Sequence, residues 1–131
     1  MLDAIASALS GLRAASTKVA VSAENIANIN TTGNLEGGKA PYTPKTVQQK
    51  TTATGSVATD IAQKNPAFVP AFDPTSPFAN ADGLVGTPNV DLAEEFVNIQ
   101  LAKTNYKASA AVIRTVSEMQ DDLLKTVDKK V

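Results

Sequence analysis

At 131 residues and 13.6 kDa the chain has room for one domain, and it contains no Cys, His or Trp. That excludes disulfides, thiolate or imidazole metal sites, and Cys- or His-dependent nucleophilic catalysis, which removes most enzyme classes. Lys+Arg 12 against Asp+Glu 13 gives a net charge of −1, so nothing electrostatic draws the chain to nucleic acid or to an anionic membrane.

The hydrophobic fraction is 43%, yet 21 of those residues are Ala and only six residues are aromatic. Large core-forming side chains are therefore scarce. No apolar run approaches the ~20 residues of a membrane span, and Met1-Leu2-Asp3 offers no basic region ahead of the apolar stretch. Neither direct membrane insertion nor a cleaved signal peptide is expected.

All seven prolines and six of the seven glycines fall between Gly33 and Pro88. This divides the chain into an N-terminal helix (1–30), an extended connector (31–88) and a C-terminal helix (89–131). In the first segment Leu2, Ile5, Leu9, Leu12, Ser16, Val19, Ala23 and Ile26 step by alternating threes and fours, the heptad spacing of a helix with a partner-facing seam. The flanking positions Ala6, Ala8, Arg13, Ala15, Ala20, Ser22 and Ala27 are mostly small, which suits a helix in close contact with several neighbours. Gly11 costs about 1 kcal/mol of helix propensity, and marks either a close contact or a soft point. Asn25 and Asn28, just before Thr31-Thr32-Gly33, read as a helix stop.

In the connector, Val57, Thr59 and Ile61 alternate with smaller or polar residues, and a Thr- and Gln-rich run precedes Thr52-Ala53-Thr54-Gly55. A short β-hairpin is expected there. Beyond Asn65 the prolines 66, 70, 74 and 77, with Phe68, Phe72 and Phe78, predict an extended segment poor in sheet, lying along another surface.

The third segment opens at Pro88-Asn89-Val90-Asp91, with Asp91 as N-cap and Glu94 as the reciprocal half of a capping box. From there on the chain has neither Gly nor Pro, and an apolar stripe runs through Leu92, Phe96, Ile99, Ala102, Tyr106, Ser109, Ile113, Val116, Gln120, Leu123 and Val127. Lys125, Lys129 and Lys130 suit the negative pole of its dipole. Such a helix is ~60 Å long, against under ~40 Å for the diameter of a compact chain of this size. The N-terminal helix can cover only part of it. The remainder is bent back, frayed, or buried against other molecules.

Three groups of residues imitate chemistry. Gly33-Asn34-Leu35-Glu36-Gly37-Gly38-Lys39 matches a phosphate-binding loop, but Ala40 supplies no hydroxyl and Pro41 and Pro44 break the helix that such a loop must open. Glu94-Glu95 and Asp121-Asp122 each diverge by about 100° around a helix rather than converging. Glu118 and Asp122 share a face but have no third ligand. No catalytic, cofactor or metal site is expected.

The run Ala23-Glu24-Asn25-Ile26-Ala27-Asn28-Ile29-Asn30-Thr31-Thr32-Gly33 resembles the signature of axial proteins of the bacterial flagellum. Tyr42-Thr43-Pro44-Lys45, Phe72-Asp73-Pro74-Thr75-Ser76-Pro77, Ala81-Asp82-Gly83-Leu84-Val85 and above all Pro88-Asn89-Val90-Asp91-Leu92, with Glu95 and Tyr106-Lys107-Ala108, resemble the basal-body rod proteins, over nearly the whole chain. The resemblance implies a mainly α fold, with two long terminal helices forming an antiparallel coiled-coil pair and the middle segment outside. It implies a structural subunit of the proximal rod, the drive shaft within the periplasm, with itself and other rod subunits as partners. It also implies passage through the flagellar type III export apparatus. The motif residues are Asn25, Ala27, Asn28, Thr32, Gly33, Pro88, Asn89, Val90 and Asp91. The assembly stripe comprises Leu2, Ile5, Leu9, Leu12, Val19, Ile26, Leu92, Phe96, Ile99, Tyr106, Ile113, Val116 and Leu123. Another axial subunit, or a soluble helical-hairpin adaptor or export cofactor, are the alternative readings.

Overall fold

The structure, a computed structural model, describes residues 2–128. Its elements in chain order are α1 (Leu2–Ala27), β1 (Lys45–Thr51), β2 (Val57–Gln63), β3 (Phe68–Phe72), β4 (Leu84–Pro88) and α2 (Leu92–Asp128). The fold is mainly helical, with two small antiparallel strand pairs between the helices. Lys129 and Lys130, expected at the negative end of α2, lie outside the described residues; Lys125 stands in its last turn.

The helices form where the sequence lacks breakers, and their ends are set by side chains. At the end of α1, Asn28 donates from Nδ2 to the Glu24 carbonyl (2.9 Å) and accepts from Thr31 Oγ1 (3.2 Å). No described non-glycine residue takes a positive φ, so the stop works through side-chain bonding rather than a left-handed turn. At the start of α2, Asp91 Oδ1 accepts from Ala93 N (2.8 Å) and Glu94 N (3.3 Å), satisfying two of the orphan donors. The reciprocal half of the capping box is not made. Glu94 instead pairs with Lys64 Nζ at 3.1 Å, since an outward ion pair across to the connector competes for the same carboxylate.

α1 and α2 pack antiparallel. Asn25 meets Glu95, and Gly11 lies so close to Ser109 that a Cβ there would stand 2.7 Å from Ser109 Oγ. Gly11 is thus a close contact. The buried positions on α1 that face α2 are Ala8, Ala15, Ser22 and Asn25, each one residue before Leu9, Ser16, Ala23 and Ile26 of the expected seam. One residue is about 100° of rotation. The intramolecular seam is therefore the small-residue flank, because Ala, Gly and Ser let two helix backbones approach closely, and the larger residues are turned aside.

The hairpin β1–β2 pairs Lys45 with Gln63 and Thr51 with Val57, as the alternation in sequence predicts. It is fastened to α1 at both ends. Near its tip Ser7 Oγ donates to the Gly55 carbonyl (3.0 Å) and Val57 N donates to Ser10 Oγ (2.9 Å); at its base Lys45 N donates to Asn25 Oδ1 (3.0 Å). Residues 7 and 25 are ~27 Å apart along a helix, and seven strand residues span ~24 Å, so hairpin and helix match in length.

The second strand pair corrects the sheet-poor reading of the Pro-rich segment. β3 and β4 pair with Pro70 opposite Gly86 and Phe68 opposite Pro88. Gly86 exchanges both of its backbone bonds with Gly33 on its other side (2.8 and 3.0 Å), so Pro70–Gly86 is a non-hydrogen-bonded pair of the β3–β4 ladder. The proline's missing N–H points to an open edge and costs no ladder bond. A Cβ on Gly33 would stand 2.4 Å from Lys39 O and from Pro41 N. Gly33→Ala should lower stability by about 2–3 kcal/mol through backbone displacement. Urea denaturation of the variant checks this; a loss under about 0.5 kcal/mol would contradict it.

Candidate functional site

One of the motif residues, Asn25, is the centre of a buried polar cluster. Asn25, on the last full turn of α1, is 1% exposed, and Glu95, on the first turn of α2, is 7% exposed. Asn25 Nδ2 donates to Glu95 Oε1 (2.6 Å) and to the Lys45 carbonyl (2.8 Å). Its Oδ1 accepts from Tyr42 OH (3.0 Å) and from Lys45 N (3.0 Å). Two donors and two acceptor positions are the full capacity of an amide side chain. Asn25 thus joins α1, the start of β1 and α2 in one fully satisfied node. Gly33, Pro88, Asn89, Val90 and Asp91 lie beyond it, where Asn89 Nδ2 donates to the Pro66 carbonyl (3.0 Å) and Asn89 N to that of Ala67 (3.0 Å). Ala27 is the last residue of α1 and is exposed, and half-buried Thr32 lies in the turn after it.

Sequence reasoning read Asn25 as a helix stop and missed this node. The available signal was its register: Asn25 lies seventeen residues after Ala8 along the same small-residue face as Ala15 and Ser22. A polar residue at such a seam position needs buried partners.

Around the node, Lys45 Nζ bonds Glu24 Oε1 at 2.6 Å, and this hydrogen bond raises the lysine above its ordinary 10.5. Burial raises the Tyr42 phenol above its ordinary 10.0, with the Glu24 and Glu95 carboxylates adding to the effect against the opposing Lys45 charge. A cleft of about 340 Å³ beside the node is lined by Lys18, Ser22, Lys64, Glu94 and Glu95 among others. Among the described residues no group of three or more acidic side chains is placed to hold a metal ion. Glu118 is paired with Arg114 (2.8 Å) and Asp122 with Lys125 (3.5 Å). In the Gly33–Lys39 loop the Asn34 N–H donates to the Lys39 carbonyl (2.7 Å) and the Lys39 N–H to Asn34 Oδ1 (3.0 Å), so these donors face inward.

The stripe residues are distributed differently. On α1, Leu2 and Leu9 are exposed, and Ile5, Leu12, Val19 and Ile26 are half-buried. On α2, Leu92, Phe96, Tyr106 and Leu123 are exposed, Ile99 and Ile113 are half-buried, and Val116 is buried with Ala102. The hairpin covers one flank of the helix pair, where Ala14 and Val57 line a common hollow. The opposite flank carries an open groove lined by Val19, Ile99 and Tyr106. No described helix is long and apolar enough to cross a membrane.

Two family models match the chain on these elements. Residues 5–33, covering most of α1 and the turn with Gly33, match "Flagella basal body rod protein", and residues 81–126, covering β4 and most of α2, match "Flagellar basal body rod FlgEFG protein C-terminal". The flagellar basal-body rod protein FlgC of Salmonella typhimurium is 35% identical over 125 residues, covering 90% of this chain and 89% of that protein. The chain belongs to the FlgC family of flagellar basal-body rod proteins. FlgC of Escherichia coli O6:H1 is 33% identical over 124 residues, with 90% and 89% covered, and FlgC of Bacillus subtilis is 29% identical over 138 residues, with 90% of each covered. Of the FlgC-like chain's node, Asn25 falls within the first matched region and Glu95 within the second, so the node joins the two matched parts.

Two outcomes follow from the node. Asn25→Ala strands Glu95 without its amide donor, and should cost about 2–4 kcal/mol in urea denaturation. A loss below about 1 kcal/mol would contradict the node. The stability tied to the raised Tyr42 is fully present below pH 10 and lost as pH rises through the folded-state value, because the unfolded chain gives up the phenolic proton first. Lys45 acts in the same sense above 10.5. Denaturation midpoints measured across the alkaline range should therefore fall less steeply for Tyr42→Phe than for the unaltered chain; parallel slopes would contradict this.

Proposed function

We propose that the chain is a structural, non-enzymatic subunit of the proximal part of the flagellar basal-body rod, assembling with itself and with other rod subunits through the outward stripes of its terminal helices. The observation that carries this reading is the disposition of large apolar side chains on α1 and α2. Leu9 is 41% exposed, Phe96 55% and Leu124 68%, although a self-contained helical hairpin would turn such residues inward. The family match over about 90% of the chain supports the same reading, since the curated relatives are named as basal-body rod proteins and are of similar length.

In this reading small-residue contacts, with Val116 of the stripe buried among them, hold the subunit together, and the other stripe residues, Leu2, Ile5, Leu9, Leu12, Val19 and Ile26 with Leu92, Phe96, Ile99, Tyr106, Ile113 and Leu123, serve packing into a tubular shaft. Close-packed interfaces yield little under strain, which suits the transmission of torque. The rod's place within the periplasm, and delivery through the type III export apparatus without signal cleavage, belong to the same proposal. The helix faces, rather than a cofactor or a substrate, are the working parts.

Leu9 and Phe96 are exposed in the single chain, whereas Ile113 is half-buried, so the first two give the cleaner test. Leu9→Asp and Phe96→Asp should leave stability within about 0.5 kcal/mol of the unaltered chain. In a strain that depends on this chain for its rod, both should abolish incorporation into basal bodies, and with it motility. Normal swimming with either variant, at normal expression, would contradict the reading.

A further inference from the structure

We propose that Pro66, Pro70 and Pro74 close the open edge of β3 against strand addition, and so keep copies of this chain from pairing edge to edge through the connector. The device belongs to the connector rather than to the helix stripes, and it stands whether or not the chain is a rod subunit.

The ladder decides which backbone groups face that edge. At the two ends of the β3–β4 register Asn89 N donates to the Ala67 carbonyl (3.0 Å) and Asp73 N to that of Gly83 (2.9 Å). Odd-numbered positions from 67 to 73 therefore point their N–H and C=O groups at β4, and the even-numbered ones point away from it. The prolines at 66, 70 and 74 all fall on the outward side. Of the outward positions from 66 to 74 only Phe68 and Phe72 keep an N–H, and these are ~13 Å apart. A strand laid along β3 finds no donor between them. The far edge, on β4, is already occupied. Gly86 bonds Gly33, Leu84 N donates to Asn80 Oδ1 (2.9 Å) and Asn80 N to the Leu84 carbonyl (3.0 Å), and the Pro88 carbonyl accepts from Val90 N (2.8 Å).

The composition of β3 is what makes such a guard necessary. Between Lys64 and Asp73 the chain carries no charge, and Val69 and Phe72 are exposed. Apart from its proline, Phe68-Val69-Pro70-Ala71-Phe72 has the apolar, β-prone and uncharged character that seeds pairing between chains. The first hairpin is protected by other means. Its strands carry Lys45, Lys50 and Asp60, and the Asn25 amide occupies both backbone groups of Lys45. β3 has neither charge nor cover on its open edge, which leaves the missing donors as its protection.

Restoring the central donor tests this. Pro70→Val and Pro70→Thr each add an outward N–H, one with an apolar side chain and one with a polar one, and neither takes a bond from the native ladder. Association seen with both therefore belongs to the backbone and not to added hydrophobicity. Both variants should keep the helical circular dichroism of the unaltered chain, yet sediment with about tenfold more self-associated material at equal concentration. In that material the outward amides at positions 68, 70 and 72 should exchange slowly, and in the monomer fast. Pro77 is exposed and lies outside the strands, so Pro77→Val should sediment like the unaltered chain. Folded Pro70 variants that stay as monomeric as the unaltered chain would overturn the proposal. So would association without slowed exchange at positions 68, 70 and 72, or equal association of Pro77→Val. Loss of the helical signal in both Pro70 variants would overturn it as well, because an outward N–H displaces no native bond.

Discussion

A side-chain amide withdrawn from water must find partners for two donors and two acceptor positions, and only one arrangement of the surrounding chain does this for Asn25. Tyr42 and Lys45 approach it from the connector, and Glu95 from the second helix. The rest of the seam is built of Ala8, Gly11, Ala15 and Ser22 against partners such as Ala102 and Ser109. Small residues pack closely, but they are nearly interchangeable under a slide of one heptad, so they specify register weakly. A buried polar residue at a single seam position specifies it strongly, because every other register leaves an amide and a carboxylate unpaired. The hairpin and the helix pair both depend on that one register.

The same constraint divides the labour of the side chains. Burying the shallow face brings the two helices together and turns Leu9, Phe96 and Tyr106 outward. The hairpin, fastened by Ser7, Ser10 and Asn25, then covers one flank of the pair. What is left open is an apolar groove on the other flank and an apolar helix end, which is the surface expected of a chain whose neighbours complete its core. An isolated subunit of this kind is folded but unfinished, in keeping with a family of rod proteins.

Much of this was legible in the sequence. The confinement of Pro and Gly to the middle third announced two long helices, and the alternation at Val57, Thr59 and Ile61 announced the first hairpin. Helix length alone implied an uncovered stripe. The orientation of the seam was legible on α2, where Ala102, Ser109 and Val116 of the expected stripe are turned inward, but not on α1, because periodicity assigns the largest apolar residues to the contact, whereas there close backbone approach through Ala, Gly and Ser wins and rotates the seam by one residue. The second strand pair was hidden by its prolines. Pro70 reads as a breaker until Gly86 is seen to spend its own hydrogen bonds on Gly33, far away in sequence. Asn25 and Glu95 are seventy residues apart, and nothing local in either stretch reveals the other. Glu94 failed as a capping partner for a similar reason, since Lys64 on the connector competes for it.

The central claim is that the pinned register completes the helix pair in the single chain while leaving the end of α2 for a neighbour. Amide hydrogen exchange on the isolated chain, and then on assembled rods, tests it most directly. The account predicts slow exchange at residues 14–25 and 95–116 in the isolated chain, with residues 119–127 exchanging fast until assembly and slowly afterwards. Slow exchange of residues 119–127 in the isolated chain, equal to that of 95–116, or fast exchange around Asn25, would contradict it.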